Sequence, residues 1–76
     1  LDHADLRGVL LIGADLQHAT LHLTDLLGAD LRDTRLHGAD VRDALFVTQS
    51  QLNAAQGDAS TTIPPHLRRP HHWEGD

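Results

Sequence analysis

Large apolar residues recur at every fifth position along residues 1–48. They are Leu6, Leu11, Leu16, Leu21, Leu26, Leu31, Leu36, Val41 and Phe46, and Leu1 lies in phase ahead of them. A smaller residue, most often alanine, precedes each of them by two positions. This period fits neither the 3.6-residue repeat of a helix nor the alternation of a strand. It predicts a short extended segment that turns a corner in every unit, with both of these residues facing a common axis.

The units follow the pattern A(D/N)Lxx, as in Ala4-Asp5-Leu6-Arg7-Gly8 and Ala14-Asp15-Leu16-Gln17-His18. This pattern resembles the pentapeptide-repeat family. The resemblance implies an all-β fold, a right-handed quadrilateral β-helix with four units per coil and about two and a quarter coils in residues 1–48. Residues twenty apart should then stack, with Leu26 between Leu6 and Phe46. Glycines that end four of the units are expected at tight corners of positive φ: Gly8, Gly13, Gly28 and Gly38.

The pattern changes after Thr48, where a helix start is indicated. Thr48 and Gln51 have the spacing of a capping box, and Gly57 falls where a helix ends. We therefore expect a capping helix, Gln49 to Gln56, within residues 49–57. Its Leu52 should cover the last coil near Phe46 and close the exposed edge of the coil.

Residues 58–76 contain three prolines, which predict an extended tail without regular structure. Trp73 is expected to anchor this tail on the coil. Residues 52–58 and 63–73 resemble the ending of actinobacterial pentapeptide-repeat proteins, so the chain is identified as a C-terminal portion of such a protein. In those relatives the repeats often follow a membrane-associated region. The resemblance implies a cytoplasmic module, either free or associated with a membrane through a region that precedes Leu1.

Composition narrows the chemistry further. The absence of cysteine excludes disulfides and thiolate metal sites. No apolar run approaches the roughly 20 residues of a membrane span, and the sequence shows no signal-peptide pattern. The formal net charge is −5, which disfavours direct nucleic-acid binding. His66, His71 and His72 could approach zinc or nickel, but a proline-rich tail does not preset their geometry. No catalytic motif is present, so we predict no catalytic residue, metal or cofactor.

Six apolar residues occupy positions where the repeat expects polar ones: Leu10, Ile12, Leu23, Leu27, Leu45 and Val47. An apolar surface implies cover by the tail, which is the favoured interpretation, by a second subunit or by a partner protein. The N-terminal end of the coil is likewise expected to meet further coils or a second subunit. The sequence thus predicts a non-enzymatic structural or protein–protein interaction module. The alternative, implied by the resemblance, is an acidic DNA mimic that binds DNA gyrase or another topoisomerase.

Overall fold

The computed structural model describes residues 1–74, in which the chain turns a corner once in every five residues of the repeats. In the unit that contains Leu6, the Val9 N–H donates to the Leu6 carbonyl at 3.2 Å and closes the turn. Gly8, at the third position of this turn, has φ +67°. Glycine adopts this left-handed conformation without strain because it has no Cβ. All four glycines that were predicted at corners have positive φ, so that prediction is confirmed.

Successive coils are joined by isolated parallel β-bridges between residues twenty apart. These bridges are Asp5–Asp25, Leu10–Asp30, Asp15–Arg35, Thr20–Asp40 and Asp25–Leu45. The predicted stacking of residues twenty apart is therefore confirmed. Each bridge is a single residue long, because the chain turns again immediately after it. Within residues 1–74 the helical elements are α1 (Gln49–Ala54) and a 3₁₀ helix (His71–Glu74), and neither is long and apolar enough to cross a membrane.

The core lies on the axis that the coils share. Its central side chains are buried: Leu21, Leu26, Leu31, Leu36 and Val41. Leu6, Leu11 and Leu16, in the first coil, are half-buried and pack against this core. The hydroxyls of Thr24 and Thr34 donate to the carbonyls of Leu1 and Leu11, as expected for threonine at an inward position of the coil.

Phe46 and Val47 exchange the positions that the repeat predicts for them. Phe46 was predicted in the core, but its side chain is 62% exposed, whereas Val47, predicted on the surface, is 6% exposed. Both predictions are wrong for one reason. The chain leaves the five-residue period here to begin α1, with Thr48 as an extended N-cap residue. A φ of +61° at Phe46 turns its side chain outward, and Val47 joins the core instead.

Helix α1 begins with the predicted capping box, which is confirmed. The Gln51 N–H donates to Thr48 Oγ1 at 3.2 Å, and the Thr48 N–H donates to Gln51 Oε1 at 2.8 Å. Leu52 is fully buried in the core cluster. The helix ends at Ala54, earlier than expected, because Gln56 already bridges Arg35 of the coil below.

Residues 55–63 continue the coil, although the sequence prediction assigned part of them to an extended tail. Gln56 bridges Arg35, and Thr62 bridges Asp40. The buried Thr61 hydroxyl donates to the Leu36 carbonyl at 2.8 Å. The Thr34 hydroxyl makes the equivalent contact with the Leu11 carbonyl one coil below. The three prolines all follow Thr62, so they remove none of these backbone donors. Gly75 and Asp76 of the predicted tail lie outside the described residues.

Trp73 closes the end of the coil. Its side chain is 3% exposed, and its indole N–H donates to the Ala55 carbonyl at 2.9 Å. A Cβ built on Gly57 would lie 2.7 Å from the indole ring. Leu27 remains 54% exposed, so the expectation that the tail covers the six apolar residues at polar positions of the repeat is wrong for Leu27. The tail packs on the end of the coil because the glycine at position 57 leaves room for the indole there.

Candidate functional site

Four exposed apolar side chains lie on one side of the second and third coils. We call this set the apolar patch: Leu23, Leu27, Leu45 and Phe46, with exposed fractions of 40, 54, 37 and 62%. Leu45 bridges Asp25, which lies midway between Leu23 and Leu27 in the chain. The Leu26 N–H also donates to the Leu45 carbonyl at 3.1 Å. Pairing of the two coils therefore brings together residues that are distant in the sequence.

Two residues of the apolar patch have an unusual backbone conformation. Leu23 has φ +55° and Phe46 has φ +61°, in the left-handed region that bulky side chains rarely adopt. Such conformations cost on the order of 1–3 kcal/mol each and persist where surrounding structure enforces them. The sequence prediction missed Phe46 as a surface residue. The available signal was that Phe46 and Val47 are adjacent bulky residues directly before an N-cap, where only one of them can point inward.

Carboxylates form the rim of the apolar patch. Arg7 Nη2 lies 2.8 Å from Asp5 Oδ2, and Arg7 Nε lies 3.8 Å from Asp25 Oδ2. Hydrogen bonds from the Arg7 side chain, and then from its backbone N–H, lower the pKa of Asp5 to about 2. Asp43 is adjacent to the patch because its carbonyl accepts the Leu23 N–H at 3.0 Å. With three carboxylates against one guanidinium, the rim carries an excess of negative charge.

Leu10 and Ile12 lie apart from the apolar patch. Leu10 is 74% exposed and bridges Asp30 on the next side of the coil, and Ile12, 50% exposed, lies at the following corner. The Arg32 Nη2 to Asp30 Oδ2 ion pair, 2.7 Å long, lies one coil above them. The predicted interaction surface is thus divided: three of its six residues form the apolar patch with Phe46, two lie elsewhere, and Val47 is buried.

The histidines do not converge. Among residues 1–74, no group of three or more histidine, aspartate or glutamate side chains could hold a metal ion. His72 Nε2 lies 2.7 Å from the Ala55 carbonyl oxygen, whereas His66 and His71 line a groove. On the coil, the rings of His3 and His22 meet edge to face at 5.8 Å, and His22 Nδ1 lies 3.3 Å from Asp43 Oδ2.

A groove of about 500 Å³ runs between α1 and the tail, and we call it the tail groove. It is lined by Gln49, Asn53, His66, Leu67, Arg68, Arg69, Pro70 and His71. The Gln49 side-chain amide fixes its shape by pairing with the backbone of Arg68. The Arg68 N–H donates to Gln49 Oε1, and Gln49 Nε2 donates to the Arg68 carbonyl, both at 2.9 Å. Among the described residues, 1–74, the lining contains neither aspartate nor glutamate.

Comparison with known proteins matches the repeats. A family model described as "Pentapeptide repeats" matches residues 1–26 and 11–46, with eight copies. An uncharacterized protein of Bacillus subtilis (strain 168), YybG, is 54% identical over 31 residues, which make up 41% of this chain and 11% of that protein. The chain therefore spans a small part of the length of this relative. No solved structure matches the chain.

Proposed function

The chain belongs to the pentapeptide-repeat family, and we propose that it is a non-enzymatic protein-interaction module built as a right-handed quadrilateral β-helix. The architecture is supported by a turn in every unit and by parallel bridges between residues twenty apart. The interaction role rests on one observation. Four apolar side chains remain exposed together on one side of the coil, although the tail covers its end.

The apolar patch has the composition of a protein contact. Large exposed apolar groups that lie together mark interaction surfaces, and aromatic residues are frequent among those that contribute most to binding. Phe46 is the most exposed member and has a strained backbone. In this proposal Phe46 is the central anchor, and Leu23 and Leu27 extend the contact on both sides of Asp25.

Charge favours a partner other than a second copy. The rim holds Asp5, Asp25 and Asp43 against Arg7, and the whole chain has a formal net charge of −5. Two copies would therefore bring like charges together, which disfavours association. A complementary partner has apolar side chains flanked by lysine or arginine, as on a basic amphipathic helix. We propose a protein segment of this chemistry as the occupant of the apolar patch.

A designed leucine–lysine amphipathic peptide serves as the probe, and a leucine–glutamate peptide is its control. We expect the leucine–lysine peptide to shift the backbone NMR signals of the apolar patch. Phe46→Ser should weaken its binding about tenfold, since truncating a central anchor costs more than about 1 kcal/mol. Leu10→Ser is the matched control, because Leu10 is also exposed but lies off the patch. Equal effects of both variants, or equal binding of both peptides, would contradict the proposal.

Light scattering tests a different occupant of the apolar patch. If it shows a dimer that forms through the patch, the partner is a second copy of this chain and not a basic segment of another protein.

The acidic DNA mimic is the second candidate, supported by the net charge of −5. Ion pairs within the chain weaken the case for DNA mimicry because they neutralise part of the negative charge. Arg7 binds Asp5 and Arg32 binds Asp30 through short hydrogen bonds. A DNA gyrase supercoiling assay separates the two candidates. Inhibition that disappears when the aspartates at bridge positions are changed to asparagine would favour DNA mimicry, whereas unchanged supercoiling would exclude it for this chain.

A further inference from the structure

The tail groove presents hydrogen-bond donors and cationic groups on an otherwise acidic chain. We propose that it binds an organic anion, a small molecule with a phosphate or carboxylate head on an apolar body. The inference is independent of the apolar patch, because the groove is lined by α1 and the tail rather than by the coil.

Three side chains of the tail groove carry nitrogen atoms that have no partner among residues 1–74. Within residues 1–74, the Arg68 guanidinium and the imidazoles of His66 and His71 form neither a hydrogen bond nor an ion pair. This distinguishes Arg68 from Arg7 and Arg32, whose guanidinium groups are bound by aspartates. Guanidinium groups bind phosphate and carboxylate through two parallel hydrogen bonds, so Arg68 suits either head group.

The neighbouring amides add a further donor. Gln49 uses both ends of its amide on the Arg68 backbone, and its Nε2 also donates to Asn53 Oδ1 at 3.1 Å. The side-chain oxygen of Asn53 accepts this bond, and the side-chain amide nitrogen of Asn53, which has no acceptor among residues 1–74, adds a donor. Because no carboxylate of residues 1–74 lines the tail groove, an anion placed there meets donors without a competing negative charge from this part of the chain.

The size and lining of the tail groove favour an apolar body on this anion. About 500 Å³ is within the range of roughly 300–1,000 Å³ that small-molecule sites occupy. Leu67 and Pro70 supply apolar surface beside the donors. The wall is also held in place, since Arg69 Nη1 donates to the carbonyls of Asp58 at 2.8 Å and Thr61 at 2.7 Å. Arg69 is thereby directed into the fold, and Arg68 is the lining arginine that we assign to the ligand.

NMR titration of the isotope-labelled full chain tests this inference with four probes at constant ionic strength: phenyl phosphate, benzoate, inorganic phosphate and phenol. We expect phenyl phosphate and benzoate to shift the signals of residues 66–71 and Asn53, inorganic phosphate to bind more weakly, and phenol not to bind. Tighter binding of phenyl phosphate than of benzoate identifies a phosphate head, and the reverse order identifies a carboxylate head. Binding of phenol equal to that of phenyl phosphate would overturn the role of charge.

Arg68→Gln should weaken the binding of both organic anions about tenfold or more, as expected for loss of a hydrogen bond to a charged group. Arg42→Gln is the matched control, since Arg42 is an exposed arginine of the coil. Trp73 emission reports whether each variant keeps its fold, and His66→Ala is a second variant expected to weaken binding. Equal losses in the Arg68 and Arg42 variants would reduce the effect to general charge attraction. Tighter binding of a polyglutamate peptide than of phenyl phosphate would overturn the small-molecule assignment.

Discussion

The indole of Trp73 lies where a side chain on Gly57 would point. A Cβ at position 57 would lie within 2.7–2.9 Å of three ring atoms, and the indole N–H donates to the Ala55 carbonyl two residues earlier. Gln56 bridges Arg35, so Gly57 follows it just as Leu36 follows Arg35. Trp73 therefore supplies, from sixteen residues further along the chain, the apolar group that the repeat would otherwise place at residue 57.

Gly57→Ala should displace the indole and lower the free energy of unfolding by about 1–3 kcal/mol, the usual cost of overpacking. Denaturation in urea measures this loss, and Trp73 emission should shift to longer wavelength as the ring becomes exposed. Gly8→Ala is the control, because a Cβ there meets no atom within 4 Å. Its positive φ costs about 1 kcal/mol but should leave the emission unchanged. Unaltered emission in Gly57→Ala would show that the two residues are not in contact.

Leu26→Asp should unfold the protein. Leu26 is 1% exposed, so the substitution places an unpaired carboxylate in the core. That burial costs several kcal/mol, comparable with the roughly 5–15 kcal/mol of a typical domain. Asp30→Ser, a surface change, should cost less than about 1 kcal/mol. Circular dichroism during heating compares the two variants, and a cooperative transition in Leu26→Asp near that of the wild type would contradict the packing.

Removal of the chain after Val47 should cause aggregation. The truncation deletes Leu52, Thr61 and Trp73, which are all buried against the coil. It also leaves the bridging groups of Arg35 and Asp40 without Gln56 and Thr62. Unpaired edges with adjacent apolar surface promote association between chains. Light scattering should show particles that grow with concentration, whereas the full chain should not; a truncated chain that stays monomeric would show that the cap is dispensable.

Arg7→Gln should raise the pKa of Asp5 from about 2 toward the ordinary aspartate value of about 3.9. The folded-state pKa is depressed, so the stabilisation is present above the unfolded value and is lost as pH falls through about 2. The difference in stability between the two proteins should therefore be present at neutral pH and disappear as the pH falls from about 4 to about 2. An NMR titration that follows the Asp5 carboxyl carbon measures both pKa values. Arg42→Gln should leave the Asp5 pKa unchanged, and an unchanged value in Arg7→Gln would contradict the pairing.

The regular coils could be predicted from sequence because the same local choice is repeated in every unit. Leu26 and Leu31 are buried, and the bridges connect residues twenty apart, as the five-residue period requires. The capping box was also accessible, since Thr48 and Gln51 are only three residues apart and the motif depends on local backbone geometry.

Structural features that interrupt the five-residue period could not be predicted from the sequence in this way. Whether Phe46 or Val47 points into the core depends on how the chain leaves the coil to begin α1. That path is set by tertiary packing and not by the repeat. The Trp73 position depends on a contact with Ala55 across eighteen residues without any repeat. The apolar patch could be predicted only in part. Leu23, Leu27 and Leu45 occupy positions where the repeat expects polar residues, whereas Phe46 occupies a position that the repeat assigns to the core. Its role in binding stays a prediction.

The spacing between bridged residues increases along the chain, from twenty for Asp25–Leu45 to twenty-one for Arg35–Gln56 and twenty-two for Asp40–Thr62. This drift has a consequence for how the gene can change length. Duplication of twenty codons ahead of Asp25 would add a whole layer and leave every later bridge in register. The same duplication after Leu45 would separate α1, Gly57 and Trp73 from the layer that they fit. The coil can therefore be lengthened in evolution by duplication of whole coils before Asp25. The segment after Leu45 must be inherited as a single unit.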